Sequence, residues 1–429
     1  MMPDRPSFNE LYELARELFP ICRSLTGDGV RQSLQILGRH LPNLSMHEVP
    51  TGTQCFDWTV PSEWNIRGAH ITDPLGNRII DFQNNNLHVV GYSEPVNREM
   101  PLEELQEHLF SLPEQPDAIP YITSYYQRRW GFCLSHRQRE KLIPGNYRVV
   151  IDSSLAPGAL TYGELLLPGR SSHEILLSSY ICHPSMGNNE TSGPVVTTFL
   201  AKWLQELPDR HFSYRIVFVP ETIGSIAYLS RHLEAMRQKV IAGYVITCVG
   251  DNREYSFLAS RFENTLADVI TRRVMDESVP GYKSYSFMER GSDERQYASP
   301  GVDLPVVSVM RSKYGEYPEY HTSLDNMDFI SPDGLGGAYT VLRKCLESFE
   351  EARLYRVTCK CEPQLGKRGL YPTLSTKKSR AEARDLRNLI CYCDGRHDLQ
   401  TIAERIGSSV EALEPLVQRL LESGVIEPI

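Results

Sequence analysis

The stretch from Ile175 to Leu204 constrains this chain more than any other. An apolar run, Ile175 to Leu177, enters it, and a helix-like pattern, Val195 to Leu204, leaves it. Between them, Ser178-Ser179-Tyr180-Ile181-Cys182-His183-Pro184-Ser185-Met186-Gly187-Asn188-Asn189-Glu190-Thr191-Ser192-Gly193-Pro194 holds a histidine, side-chain amides, a carboxylate and two glycines. A strand that turns through polar residues into a helix is a unit of an α/β sheet, and ligands collect at the carboxyl ends of such strands. An ordinary polar loop before a capped helix has the same local pattern, so the stretch alone does not decide between them.

The pattern recurs. Tyr214 to Val219, Val240 to Val249 and Leu304 to Met310 read as further strands, and Gly224 to Met236, Phe262 to Met275 and Gly334 to Glu351 as helices. Strands alternating with helices predict a mixed, mostly parallel sheet flanked by helices. Ahead of it, Phe8 to Leu18 puts Leu11, Leu14, Ala15 and Leu18 on one helical face. A turn, Arg23 to Gly29, and a second helix, Val30 to Leu41, follow. From Cys55 to Ile151 the texture changes to short alternating segments, such as Arg78 to Phe82 and Leu87 to Tyr92, broken by Pro, Gly and Asn. That is an inserted β-rich subdomain. Its aromatic and basic run, Tyr121 to Trp130, fits a packed sheet face or a pocket wall. From about Tyr371 the chain reads as a helix (Ala381 to Cys391), a turn at Asp394-Gly395, a short helix (Leu399 to Ile406) and another over Ser409 to Ser423. Ser408 is its expected cap, with Glu411 as capping-box partner. This is the outline of a winged helix. The expected domains are residues 1–54 with 152–355, 55–151, and 356–429.

At 429 residues the chain exceeds one ordinary core. No stretch approaches the roughly 20 apolar residues of a membrane helix. The polar start, Met1 to Pro6, lacks the apolar centre of a signal peptide, which places the expectation in the cytoplasm. The ten cysteines form no framework and read as reduced thiols. The pairs Cys359/Cys361 and Cys391/Cys393 are spaced too closely for a structural zinc knuckle. A net charge of -9, and Glu404, Glu411, Glu414 and Glu422 on the last helices, argue against a nucleic-acid surface. A docking or dimerisation role, including a homo-oligomer, is the expectation for that module.

Residues just past each strand carry the chemistry. His183, Asn188, Asn189 and Glu190 follow the first, Glu221 the second, Asp251 the third, and a Tyr-rich loop leads from the last to His321 and Asp325. Imidazoles and a carboxylate for a metal, with one carboxylate left as base, are what a zinc hydrolase needs.

Taken with Cys182-His183-Pro184-Ser185-Met186, Pro220-Glu221-Thr222-Ile223-Gly224-Ser225, Thr247-Cys248-Val249-Gly250-Asp251, Gly291-Ser292-Asp293-Glu294-Arg295 and Tyr320-His321-Thr322-Ser323-Leu324-Asp325-Asn326, the chain resembles the M28-type zinc aminopeptidases. It is closer to their aminopeptidase-like branch with an inserted β domain and a terminal winged helix. The resemblance implies His183 and Asp251 as ligands of one metal and His321 of a second. It implies Glu221 as general base and Asp325 as a carboxylate orienting a ligand from behind. Asp293, Glu294 and Arg295 would shape the substrate end, with Glu294 holding a substrate amine. Two positions depart from the pattern. Asn189 replaces the carboxylate that bridges two ions, and Thr222 a ligand carboxylate. A neutral amide cannot share charge between dications, so one zinc is expected, held by His183, Asp251 and His321 with Asn189. The expected activity is amide hydrolysis of aminopeptidase type on a small peptide or aminoacyl metabolite. The alternative is a peptidase-fold scaffold with a winged-helix docking module.

Overall fold

Runs of Val, Ile and Leu too continuous for a half-exposed strand become strands covered on both faces. In the computed structural model, which describes residues 6–370 and 377–429, Glu174–Tyr180 and Val306–Met310 are buried along their whole length. They sit inside an eight-stranded sheet. Its order is Ser45–Pro50, Ala159–Leu167, Ser213–Val219, Glu174–Tyr180, Val240–Val245, Val306–Met310, Ser256–Leu258, Lys283–Tyr285. Four neighbours in the middle, Ser213–Val219 through Val306–Met310, run parallel, so their carboxyl ends open on one edge. Antiparallel strands flank them.

Alternation along each strand divides the core. Ile175 and Leu177 pack with Leu11, Phe199, Ile270 and Leu342 from helices Phe8–Leu18, Ser192–Glu206, Leu266–Ser278 and Pro332–Glu351. Leu176 points the other way, to Tyr228 and Leu229 of helix Ile223–Lys239. Each such apolar side chain contributes about 1.5–3 kcal/mol on burial. The first helix begins with a capping box, Ser7 with Glu10. The helix expected from Phe262 starts at Leu266, because Thr265 and Asp268 close a capping box there.

The inserted region is a four-stranded antiparallel sheet of Arg78–Asp81, Glu63–Thr72, Asn146–Ala156 and Val96–Pro101. Its own core holds Ile71, Phe132, Tyr147 and Ile151. The alternating segment Leu87 to Tyr92 opens in a 3₁₀ turn, Asn86–His88, and keeps only isolated bridges at Val89 and Gly91. The Asn85 side chain accepts the Leu87 N–H at 2.9 Å, so the local amide replaces strand pairing at the segment's start.

Residues 353–429 form a three-stranded sheet, Asp394–Asp398, Leu354–Val357 and Ile426–Pro428, with helices Lys377–Tyr392, Leu399–Ile406 and Val410–Glu422. Leu389, Ile402, Leu413 and Leu420 fill its core. The cap of the last helix is Ser409, not Ser408: the Ser409 hydroxyl accepts the Ala412 N–H. Ser408 is claimed by the preceding helix, where its N–H donates to the Ala403 carbonyl past a left-handed Gly407. Arg273 Nη1 donates to Asp398 Oδ2 at 3.0 Å and ties this module to the main sheet's helices. The polar start, Met1 to Arg5, and the opening of the last segment at Tyr371 lie outside the described residues. Among the described residues, no helix is long and apolar enough to cross a membrane.

Candidate functional site

The parallel strands end at Tyr180, Val219, Val245 and Met310, and each hands on to a polar loop. After Tyr180, a π-helical turn, Gly187–Thr191, precedes helix Ser192–Glu206. A Cβ on Gly193 would lie 2.4 Å from the Ile246 carbonyl oxygen and 2.5 Å from Ser179 Oγ, so only glycine lets the helix begin this close to the sheet. The turn is thereby pressed inward, and Asn188, Asn189 and Glu190 are all buried.

Glu190 orients His183. Its Oε2 lies 3.0 Å from His183 Nδ1, and its Oε1 accepts the Cys182 N–H at 2.8 Å and Arg23 Nε at 3.1 Å. Arg23 and Glu190 retain only 2% and 1% side-chain exposure. The carboxylate behind the ring assigns the Nδ1 proton and turns Nε2 toward Glu221, whose Oε2 is 3.7 Å away. The His321 ring stands 5.6 Å from that of His183, centroid to centroid. Tyr121, from the inserted region, touches both, at 5.3 and 5.1 Å. Its N–H donates to the His321 carbonyl at 2.9 Å, and its hydroxyl shares a hydrogen bond with Tyr125.

Asn189 Nδ2 donates to the Tyr180 hydroxyl at 2.9 Å, but its Oδ1 is buried with no donor. An amide oxygen left so costs about 1–3 kcal/mol, which a cation beside it would remove. Asp325 holds this turn: Oδ1 accepts from Asn188 N at 2.6 Å, and Oδ2 from Asn189 N and the Tyr317 hydroxyl at 2.9 and 3.0 Å.

Asp251 is placed differently from His183. Its two oxygens accept from Asn188 Nδ2, Arg253 N, Ser312 N and Ser312 Oγ, at 2.8–3.0 Å. Four donors use the roughly four lone-pair directions of a carboxylate. Among the described residues, a single group of three His, Cys, Asp or Glu side chains keeps its ligand atoms within 4.8 Å of one another: Cys182, His183 and Glu190. That group is closed on itself by hydrogen bonds and by the Arg23 ion pair. The structure does not gather His183, Asp251 and His321 to that distance.

At the other wall, Asp293 Oδ1 accepts from Thr222 N and Ser225 Oγ, both at 2.8 Å, while Oδ2 is buried and unpaired. Glu294 Oε1 accepts from Gly291 N, Ser292 N and the Tyr314 hydroxyl, while Oε2 is likewise unpaired. Arg295 Nη2 donates to Thr222 Oγ1 at 3.0 Å. Thr222, Cys248 and His321 hold left-handed φ of 63°, 52° and 56°. Each costs on the order of 1–3 kcal/mol in a non-glycine residue, and such strain concentrates at working sites.

Burial raises the Glu221 carboxyl above the usual range, against the positive pull of His183 and Arg295. Its side chain keeps 23% exposure, so solvent can reach it. Burial and the neighbouring Glu221 push Asp293 up to about 7. Burial pushes Asp325 up to about 6. Burial and the His183 charge hold His321 down to about 3, so it stays a neutral imidazole with a lone pair to give. For His183, burial opposes the charged form, but Cys182 and Glu190 outweigh it and the ring is raised.

Comparison with known proteins agrees with this architecture. A domain of unknown function, DUF4910, matches residues 12–352, and a winged helix-turn-helix matches 353–428. The chain belongs to the DUF4910 family. This DUF4910 chain is 47% identical over 363 residues to a Clostridium acetobutylicum protein named for polysaccharide biosynthesis and an aminopeptidase-like domain, covering 84% of this chain and 83% of that one. A crystal structure from the same organism, titled as a peptidase, aligns at 42% identity with a TM-score of 0.81, over 98% and 96% of the two chains. A zinc aminopeptidase from Bacillus subtilis aligns with a TM-score of 0.58 at 12% identity, over 81% of this chain and 96% of that one. An M28 peptidase precursor from Shewanella amazonensis gives 0.55 at 12%, over 82% and 94%. The DUF4910 chain therefore has the M28 aminopeptidase-like fold, with a winged helix appended.

Arg23, Glu190 and Tyr121 are the site residues that sequence reasoning passed over or left undecided. Glu190 had a signal, as a carboxylate beside Asn189. Arg23 and Tyr121 are some 160 and 62 positions from His183 in the chain and reach it only through folding.

Proposed function

We propose that this protein is a single-zinc amide hydrolase of aminopeptidase type. His183 through Nε2 once that nitrogen has lost its proton, His321 through its neutral ring and Asn189 through its unpaired Oδ1 would hold the ion. The donor set fits one ion rather than two, since it contains no carboxylate free to bridge. When bound, zinc supplies Lewis acidity to an amide carbonyl. Asp251, with four donors on it, holds the Asn188 side chain and the Ser312 loop in place instead of offering a lone pair.

Glu221 takes a proton at its carboxylate from the attacking water, and its burial lifts it toward the pH range where a base is most effective. Glu294 Oε2 and Asp293 Oδ2 accept the ammonium of a free amino end. Arg295, braced on Thr222, balances that acidic wall. A relative named for polysaccharide biosynthesis favours an aminoacyl-decorated metabolite over a long peptide as substrate.

The observation that carries this reading is His183 Nε2 facing the part-exposed Glu221 carboxylate at 3.7 Å, beside the neutral His321 ring. Metal analysis of gently purified protein and a panel of aminoacyl-anilides test it. The expected result is about one zinc per chain and turnover that falls at least 100-fold in Glu221→Gln, the scale of a lost general base. Absence of zinc together with turnover indifferent to Glu221→Gln would refute it.

A second reading rests on the neutral Asn189 and the fully engaged Asp251, which leave Glu221 as the free carboxylate facing the histidines. On that basis the fold serves binding or scaffolding, with the winged helix as docking module. Hydrolysis abolished by His183→Ala would reject it.

A further inference from the structure

A cavity of about 770 Å³ opens between the amino-terminal helices and the inserted sheet. It borders the His183 loop at Ser185, but His183, Asn189, Glu221 and His321 do not line it. Its size lies within the roughly 300–1,000 Å³ of small-ligand clefts.

The floor is fixed. Ser185 Oγ donates to the Phe19 carbonyl at 2.6 Å and accepts from Asn86 Nδ2 at 2.7 Å. Ser185 N donates back to Asn86 Oδ1 at 3.1 Å. The walls, in contrast, are unspent. Among the described residues, the side chains of Gln32, Gln83 and Asn84 and the hydroxyls of Ser24 and Ser154 have no hydrogen-bond partner, although all line the cavity. Asn85 uses its oxygen on Leu87 N and keeps its amide donors free.

The charges of the lining are already paired with residues outside it. Glu17 accepts from Arg39 and Asp28 from Arg31, both at 2.7 Å, and Arg67 Nε donates to Asp152 at 2.9 Å. Half-buried Phe19 and Phe82 add apolar surface. The cleft thus offers neutral donor–acceptor pairs on amides, hydroxyls and ring faces, with no free charge. A phosphate or a cation would have to compete with these ion pairs. A peptide adding to the strand edge at Trp64 would find its N–H already given to Thr26 Oγ1 at 3.0 Å. Side-chain amides that both donate and accept match vicinal hydroxyl groups.

We propose that this cleft is a binding site for a neutral carbohydrate, a one- or two-sugar unit, separate from the candidate hydrolytic site. Binding there requires neither hydrolysis nor zinc.

The test is an array of neutral, acidic and amino glycans probed with the full chain, followed by calorimetric titration of retained disaccharides, with cellobiose, N,N′-diacetylchitobiose and trialanine as fixed probes. At least one neutral glycan should bind saturably. Gln32→Ala with Asn84→Ala should weaken it about tenfold or more, the scale of two lost hydrogen bonds, with the melting temperature unchanged. Gln83→Ala supplies a second variant on the same wall. Retention of no neutral glycan, retention of acidic glycans or trialanine alone, or affinity indifferent to both variants would overturn the assignment.

Discussion

Replacing Arg23 by Met keeps an apolar stem of similar length but removes the guanidinium that ties the first turn to the His183 loop. Arg23 Nε donates to Glu190 Oε1 and to the His183 carbonyl, both at 3.1 Å, and Nη1 donates to the Leu18 carbonyl at 2.7 Å. With 2% and 1% of the two side chains exposed, water cannot replace the lost partner. Breaking a buried pair by removing one member typically costs about 3–5 kcal/mol, because the remaining charge is stranded. Urea unfolding of Arg23→Met should show a loss of that order, with Glu190→Gln alone also destabilising because it strands Arg23. The double variant should lose less than the sum of the two, with a coupling of about 1–3 kcal/mol. Glu190→Gln should in addition weaken zinc binding roughly 10- to 100-fold, since the carboxylate that fixes the His183 ring is gone. A loss below about 1 kcal/mol in Arg23→Met, or strictly additive single effects, would refute the view of this pair as one buried unit.

Zinc titration followed by melting temperature should separate two carboxylate positions. Asn189→Asp places a charge at the unpaired amide oxygen and should increase the zinc-dependent rise in melting temperature. Asp251→Asn turns an amide N–H₂ toward two of the four donors and should lower stability by about 2–4 kcal/mol while changing zinc affinity less than His183→Ala; the opposite ranking would support Asp251 as a ligand. Asp293, pushed up to about 7 from an ordinary 3.8, binds its proton more tightly in the folded state. Its contribution to stability is therefore fully present below about pH 4 and is lost as the pH rises through 7. Melting temperatures from pH 4 to 8 should fall less steeply in Asp293→Asn than in the wild type, and parallel profiles would disprove the assignment.

The strand ends were legible because they follow from local pattern. An apolar run followed by polar residues and a helix marks a strand end, and that pattern makes His183, Glu221 and His321 candidates. The winged helix was legible from helix periodicity and turns. Its cap was misplaced by one residue because Ser408 and Ser409 are chemically alike, and only the hydrogen bond from Ser408 N to the Ala403 carbonyl assigns Ser408 to the preceding helix. The strand expected at Leu87 gave way to a turn because the amide of Asn85 bonds locally, a competition that apolar alternation does not reveal.

The sequence by itself determined the kind of sheet, the order of its modules and the donor types at its strand ends, since these depend on residue type and short-range spacing. Tertiary structure alone decided which donors remain free. Asp251 is a carboxylate at a strand end in either description, but four hydrogen bonds from three separate segments occupy it. Asn189, the residue that departs from the two-metal pattern, keeps an unpaired oxygen. Arg23 and Tyr121 reach the His183 ring across long stretches of chain. Lone-pair availability is a property of packing, and packing is set by contacts that have no local signature in the sequence.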